Sequence, residues 1–154
     1  MIDALPAIRE TLGETRSRDA AEDTARQLVE NGLVKLVSSF QRYAEAVFAQ
    51  LPNSSHVAVR KNAFQNLPES SQLWRRASGR GYEEMLSAKE LRELNRLLQQ
   101  RHLLSHREGI VDQEYIDKSG DHTYSVGQRL VVREASVLRL AELVVKLAHR
   151  GRNQ

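Results

Sequence analysis

The chain has no cysteine among its 154 residues. Disulfide bonds, thiolate metal sites and cysteine nucleophiles are therefore excluded. The acidic start of the sequence, Met1 to Pro6, lacks the basic and apolar stretches of a signal peptide. No apolar run approaches the roughly 20 residues of a membrane-spanning helix. We therefore expect a cytoplasmic protein with no membrane partner.

Strand signals are also scarce, whereas apolar residues recur at three- and four-residue spacing along most of the chain. A chain of this length needs only one domain to bury an ordinary core. The pattern predicts an all-α bundle of four or five helices, with a short extended segment at Thr123–Val132 before the last helix. We expect residues 1–24 to form an N-terminal arm or a short helix ending near Gly13, and residues 25–154 to form the single domain.

The individual helices are bounded by turn and capping signals. One stripe continues from residue 19 to residue 51, although Gly32 favours a kink within it. Ser87 and Glu90 have the spacing of a capping box, which predicts a helix over residues 88–107. Further predicted helices cover residues 57–67, ended by Pro68, a turn or two over 69–77 around Trp74, a short helix capped by Asp112, and residues 134–150, ended by Gly151.

Basic residues are concentrated in two parts of the sequence. The formal net charge is only +3, but residues 71–110 hold eight Lys/Arg against five acidic residues, and residues 129–154 hold six against two. This distribution favours binding of a polyanion, although solvated helix faces often carry similar charges.

The most unusual stretch runs from Arg101 to Gly109. Arg101 projects onto the apolar stripe of its helix, Ser105 lies beside it, and His102 falls at the stripe's edge. A guanidinium in that position must find partners or water, because it cannot lose its charge. The stripe itself consists of Leu91, Leu94, Leu97, Leu98 and Leu104.

Two kinds of catalysis fit this stretch poorly. His102 and His106 could share a metal, but Leu103 stands where a zincin has glutamate, and Arg101 and Arg107 would repel a cation. The only nearby candidates for a third ligand are Glu108 and Asp112. A serine hydrolase using Ser105 would lack the Gly-x-Ser-x-Gly turn. We therefore expect neither a metal nor another cofactor.

Metal-independent cleavage of a phosphodiester fits better. A histidine exchanges protons near neutral pH, and a fixed arginine stabilises the charge of the transition state. On a regular helix, however, Arg101 and His106 differ by about 140° and about 7.5 Å along the axis. They converge only through the length of the arginine, through a break near Gly109, or through a second copy of the chain.

The sequence Arg101-His102-x-x-x-His106 resembles the R-x4–6-H motif of HEPN domains, and the continuation from Arg107 to Tyr115 resembles bacterial members. The resemblance implies a helical bundle that dimerises, and often a metal-independent endoribonuclease of a toxin–antitoxin or phage-defence system. Arg101 would then bind the scissile phosphate, His106 would be the acid/base, and His102 would orient the phosphate. Weaker candidates for substrate binding are Ser105, Arg107 and Glu108.

The resemblance leaves other functions open. Glu108 stands where some HEPN toxins have a tyrosine that a partner enzyme modifies, so this regulation is not expected. Some HEPN domains cleave nothing and instead bind RNA, a nucleotide or a protein partner, which is the main alternative; an antitoxin is one conceivable partner. A helical bundle unrelated to HEPN, with a basic face that serves only solubility, is the third interpretation.

Overall fold

The computed structural model describes residues 4–152, which form five α-helices without a β-strand among these residues. The helices are α1 (Leu5–Ala49), α2 (Leu67–Ser78), α3 (Ala88–His106), α4 (Gln113–Ser119) and α5 (Glu134–Arg152). Single 3-10 turns lie at Ser54–His56, Ala63–Gln65 and Tyr82–Glu84. The all-α class predicted from the periodicity is confirmed. Within the described range, every helix is too short or too polar to span a membrane.

The core lies between α1, α3 and α5, whose buried leucines include Leu33, Leu94, Leu140 and Leu143. Gly32 belongs to the contact between α1 and α5, because a Cβ built there would meet Val137 Cγ1 at 3.8 Å. The glycine that favoured a kink is thus part of continuous helix. Packing against α5 supplies the stabilisation that its weak helix propensity lacks.

The predicted interruption near Gly13 is wrong, since α1 runs unbroken for 45 residues. Residues 4–28 are all exposed, and burial begins only at Val29. The exposed part of the helix therefore coincides closely with the predicted arm, although no change of secondary structure separates the arm from the bundle. A straight helix of this length extends about 36 Å beyond its packed part.

Pro68 begins a helix instead of ending one. The sequence predicted a helix over 57–67, but these residues form irregular backbone and the turn at Ala63–Gln65. Helix α2 starts at Leu67, and the Asn66 side chain accepts a hydrogen bond from Glu69 N at 3.0 Å. Proline suits this position, because the first amides of a helix have no helical acceptor. Trp74 is a core residue of α2, only 4% exposed.

Helix α3 has the predicted capping box. Ser87 Oγ accepts from Glu90 N at 3.1 Å, and Glu90 Oε1 accepts from Ser87 N at 3.0 Å. The carboxylate of Glu90 also pairs with Lys146 of α5 at 2.6 Å. The cap thereby joins two helices of the core, which the local spacing could not reveal.

The segment between α3 and α5 is mostly irregular. Asp112 caps α4 as predicted, accepting from Tyr115 N at 2.8 Å. The extended segment before the last helix contributes one isolated antiparallel bridge, between Ile110 and Arg129. The segment predicted to be extended, Thr123–Val132, is therefore irregular backbone with a single bridge and not a strand.

The last helix differs from its prediction at its end and on one face. Gly151 was predicted to stop it, but α5 continues to Arg152, and Gly151 is buried beside Trp74. The sequence predicts a buried seam of Val137, Leu140, Ala141, Val144 and Ala148, whereas the buried residues of α5 are Leu140, Leu143, Leu147 and Gly151, one position away from much of that seam. The same spacing predicts that Arg139 and Lys146 face water, but they pair with Glu93 and Glu90 of α3.

Candidate functional site

Arg101 is half-buried on α3, between the buried residues Gln100 and Leu103. Its Nε atom is shielded from solvent and has no hydrogen-bond partner. No carboxylate within residues 4–152 forms an ion pair with its guanidinium. An arginine keeps its charge under all ordinary conditions, so partial desolvation without a counter-ion is unfavourable. The structure therefore leaves this cation available to an external anion.

An open cleft of about 270 Å³ contains Arg101 and His102. Two further cations line it from distant parts of the chain, Arg60 before α2 and Lys118 on α4. Each of these has a carboxylate partner, Glu69 at 2.6 Å and Glu114 at 2.6 Å. Neutral groups complete the wall: Val37, Gln41, Asn62, Gln65, Asn66, Leu98 and Gln99. The lining itself contains no carboxylate, and Arg101 is its one cation without an ion pair among residues 4–152.

The two histidines of the motif contact each other on successive turns of α3. Their ring centroids are 4.8 Å apart, with the ring planes inclined by 49°. Partial burial, followed by the nearby His106, lowers the pKa of His102 below its usual value. His102 is therefore neutral at pH 7 and can accept a proton or a hydrogen bond from a bound ligand.

His106 lines a different hollow, of about 370 Å³, together with Arg107, Glu108 and Ile110. Arg101 and His102 thus line one cleft, whereas His106 lines the other hollow, although its ring contacts that of His102. Helix α3 is continuous through His106, so the break at its end does not turn His106 towards Arg101. Of the three routes to convergence, the length of the arginine and a second copy of the chain remain.

The end of α3 is fixed by backbone contacts of the remaining motif residues. Glu108 has a positive φ of 54°, and its carbonyl oxygen accepts from Arg129 Nη1 at 2.7 Å. Arg129 also pairs with Glu30 of α1 at 2.8 Å. Gly109, with φ 74°, lies so close to Arg129 that any Cβ there would clash with its guanidinium. This network ties the motif to α1.

The weaker candidates have different environments. The position of Ser105 beside Arg101 on the apolar stripe predicts that it packs at a close helix contact, but Ser105 is exposed. The buried residues at the end of α3 are Gln100 and Leu103, whereas Ser105 lies around the helix from them, on the side of Leu94 and Leu98. Arg107 is exposed and pairs with Asp112 at 3.1 Å, so its charge is partly compensated.

Sequence inspection missed Arg60, Lys118 and Arg129 as neighbours of the motif. Their local sequence patterns do not indicate these contacts, because the contacts depend on how distant segments of the chain pack around α3. Within residues 4–152, no group of three or more His, Asp or Glu side chains is arranged to hold a metal ion. The described residues therefore contain no candidate metal site.

The chain was also compared with known proteins. Searches against protein-family models, curated proteins and solved structures gave no match. These comparisons therefore supply no family and no homologous site, and the resemblance to HEPN domains depends on the motif and on its position in a helical bundle.

Proposed function

We propose that the protein is a metal-independent endoribonuclease of the HEPN type, which cleaves RNA at a composite site in a homodimer. The observation that carries the proposal is the unpaired Arg101 guanidinium in a cleft without a carboxylate in its lining. A phosphodiester group would supply the missing anion, and a guanidinium can hold two of its oxygens at once. The toxin–antitoxin or phage-defence setting, with an antitoxin as a partner, extends the same proposal.

The chemistry requires one proton acceptor and one proton donor. The 2′-oxygen of the ribose attacks phosphorus and gives its proton to a base, while the bond to the 5′-oxygen breaks and that oxygen receives a proton from an acid. Arg101 neutralises the charge that develops on the phosphoryl oxygens. His106 is the acid/base residue, and the neutral His102 orients the phosphate without adding a positive charge beside His106.

A second copy of the chain completes this arrangement. In one copy, Arg101 and His106 line separate hollows, and only one His106 is present. A two-fold pairing through the exposed ends of α3 would place the His106 of each copy near the Arg101 of the other. The pair of His106 side chains would then provide both the acid and the base.

Purified protein incubated with single-stranded RNA in excess EDTA tests the proposal. We expect cleavage to persist in EDTA and to fall by at least about 100-fold in Arg101→Ala and in His106→Ala, the range typical for loss of an acid/base group or of transition-state stabilisation. Arg92→Ala is the matched control, because Arg92 is exposed on α3 and lines neither hollow. Equal activity in all three variants would refute these assignments.

A non-catalytic RNA-binding module is the second candidate. The separation of His106 from the Arg101 cleft within one copy favours it. Size-exclusion chromatography and RNA-binding measurements distinguish the two: a chain that binds RNA through Arg101, elutes as a monomer and leaves RNA intact would support the module and exclude the composite ribonuclease site.

A further inference from the structure

Carboxamide side chains are concentrated in the Arg101 cleft. Five of its 11 lining residues are asparagine or glutamine, although the whole chain has only 16 of these among 154 residues. The cleft therefore combines one cation that has no ion pair within residues 4–152 with neutral groups that both donate and accept hydrogen bonds. The five come from three parts of the chain: Gln41 from α1, Asn62, Gln65 and Asn66 from the segment that leads into α2, and Gln99 from α3.

Most of these carboxamides are open to a ligand. Within residues 4–152, the side chains of Asn62, Gln65 and Gln99 have no hydrogen-bond partner. Gln41 has only a long bond of 3.4 Å to Glu45. Asn62 and Gln65 are exposed and Gln99 is half-buried, so a ligand in the cleft reaches all three.

A carboxamide is suited to read the edge of a nucleobase. Its oxygen and its amide nitrogen lie side by side, so it can accept from N6 of adenine and donate to N7 of the same base. Unpaired bases of RNA are recognised at both their Watson–Crick and their Hoogsteen edges. Adenine is the base that presents a neighbouring donor and acceptor at both of these edges, N6 with N1 and N6 with N7. Two carboxamides can therefore bind one adenine at the same time.

The other charged groups of the cleft fit the remaining bases less well. Guanine is most often read by arginine or lysine, and the amino group of cytosine by a carboxylate. The lining contains no carboxylate, and Arg60 and Lys118 already pair with glutamates. In the proposed function, Arg101 is occupied by the phosphate. The groups left to contact a base are therefore the carboxamides.

The size of the cleft indicates what kind of molecule carries this base. Its volume of about 270 Å³ is below the usual range for sites that enclose a whole small molecule, and it is open to solvent. One nucleotide of a longer strand needs such a cleft only for its base and phosphate, because the rest of the strand lies outside. A single-stranded RNA segment therefore fits better than a free metabolite.

We propose that the Arg101 cleft selects an unpaired adenosine next to the phosphate that Arg101 holds. Gln65 and Gln99 bind the two edges of the adenine, and they belong to different elements of the fold, as contact with two edges requires. The selection rests on the proposed function in one respect, that RNA lies in this cleft, and it does not require cleavage.

Fluorescence anisotropy with short oligouridine probes tests this selection. The probes carry one central adenosine, guanosine or cytidine, or uridine only, and they have 2′-fluoro sugars, so no 2′-hydroxyl is present to attack the phosphate. We expect the adenosine probe to bind at least about fivefold more tightly than each of the others, the lower end of the discrimination that a bidentate base contact provides.

Three variants distinguish a base contact from a phosphate contact. The double variant Gln65→Ala/Gln99→Ala should lose the preference for adenosine, and continued binding of the all-uridine probe would show that it is folded. Arg101→Ala should weaken all four probes by a similar factor, because the phosphate is common to them. Gln72→Ala is the matched control, since Gln72 is exposed on α2 outside the cleft, and it should keep both affinity and preference.

Equal affinity for the four probes, no binding, preference for another base, or a preference retained in the double variant would each overturn the selection of adenosine. Failure of the ribonuclease proposal has a different result. Cleavage that depends on Arg101 and His106, with no base preference in binding, would keep the ribonuclease and reject the adenosine site. Selective binding of the adenosine probe by a chain that leaves natural RNA intact would reject the ribonuclease and keep the adenosine site.

Discussion

At the scale of single residues, Arg101 is the clearest conflict between stability and function. Its stem is packed on the core side of α3, yet its Nε has no partner and its charge has no counter-ion within the described part of the chain. Such a group lowers stability unless a ligand compensates it. A charge left without a partner is expected at sites that bind a substrate of opposite charge.

Replacing this arginine should therefore stabilise the protein. We expect Arg101→Met to raise the free energy of unfolding by about 1 kcal/mol, since it keeps the apolar stem and removes the poorly solvated charge. Urea denaturation of the wild type and the variant measures the difference, and RNA binding should decrease at the same time. A clear loss of stability would mean that the guanidinium is satisfied within the fold.

His102 gives a prediction about pH. Its folded-state pKa lies below the ordinary value of about 6.5, so the unfolded chain takes up a proton first as the pH falls. Stability contributed at this site is therefore complete above about pH 7 and decreases below about pH 6.5. His102→Gln should reduce the loss of stability between pH 7 and pH 5 slightly, because the side chain is largely exposed. Denaturation midpoints at both pH values would show this, and an unchanged slope would contradict it.

At the scale of secondary structure, α3 is held by a cap that also bonds a neighbouring helix. Glu90 accepts from Ser87 N in the capping box and pairs with Lys146 of α5. The ion pair with Lys146 is the largest cause of a pKa of about 2 for this carboxyl group, with the bond from Ser87 next. One carboxylate therefore contributes to the start of α3 and to its packing on α5.

Removing this charge should weaken the fold in a pH-dependent way. Glu90→Gln should lower the thermal midpoint at pH 7, where the carboxylate is ionised in both states and its stabilisation is complete. The difference from the wild type should shrink as the pH falls from about 4.5 towards about 2, because protonation removes the same interaction. Ser87→Ala, which should cost about 1 kcal/mol as an ordinary cap, is the comparison with little pH dependence. A constant difference across this range would contradict the assignment.

At the scale of the whole molecule, α1 has two parts with different support. Residues 29–48 pack against α3, α5 and the connection to α2, whereas residues 4–28 are exposed along their full length. The exposed part has apolar side chains at Leu5, Ile8 and Leu12, followed by mostly polar residues. Isolated helices gain little stability from propensity alone. The first half of α1 therefore depends on local interactions.

Hydrogen exchange should reveal this difference directly. We expect amides of residues 5–28 to exchange at least about 100-fold faster than those of residues 33–48, since local opening of an unpacked helix does not require global unfolding. Mass spectrometry of peptides from the two halves measures the ratio. Equal protection in a dilute monomeric sample would mean that the arm packs on the bundle.

Features that depend on neighbouring residues could be predicted from the sequence. The capping box at Ser87, the cap at Asp112 and the helical class all follow from interactions within a few positions. Predictions from local signals were wrong where packing between residues far apart in the sequence outweighed those signals. Gly32 and Gly151 lie inside helices because α5 and Trp74 pack against them, and Pro68 opens α2 because Asn66 supplies a cap.

The candidate site likewise combines features that the sequence predicts with features that depend on tertiary packing. The spacing of Arg101, His102 and His106 and their separation around α3 could be predicted, because a helix fixes the angle between its residues. Three features could not be predicted from local sequence: Arg60 and Lys118 line one cleft with Arg101, Arg129 contacts the end of α3, and Gln100 Oε1 has no hydrogen-bond partner among the described residues. These contacts join residues far apart in the chain, so their geometry depends on how whole helices pack and not on any local pattern.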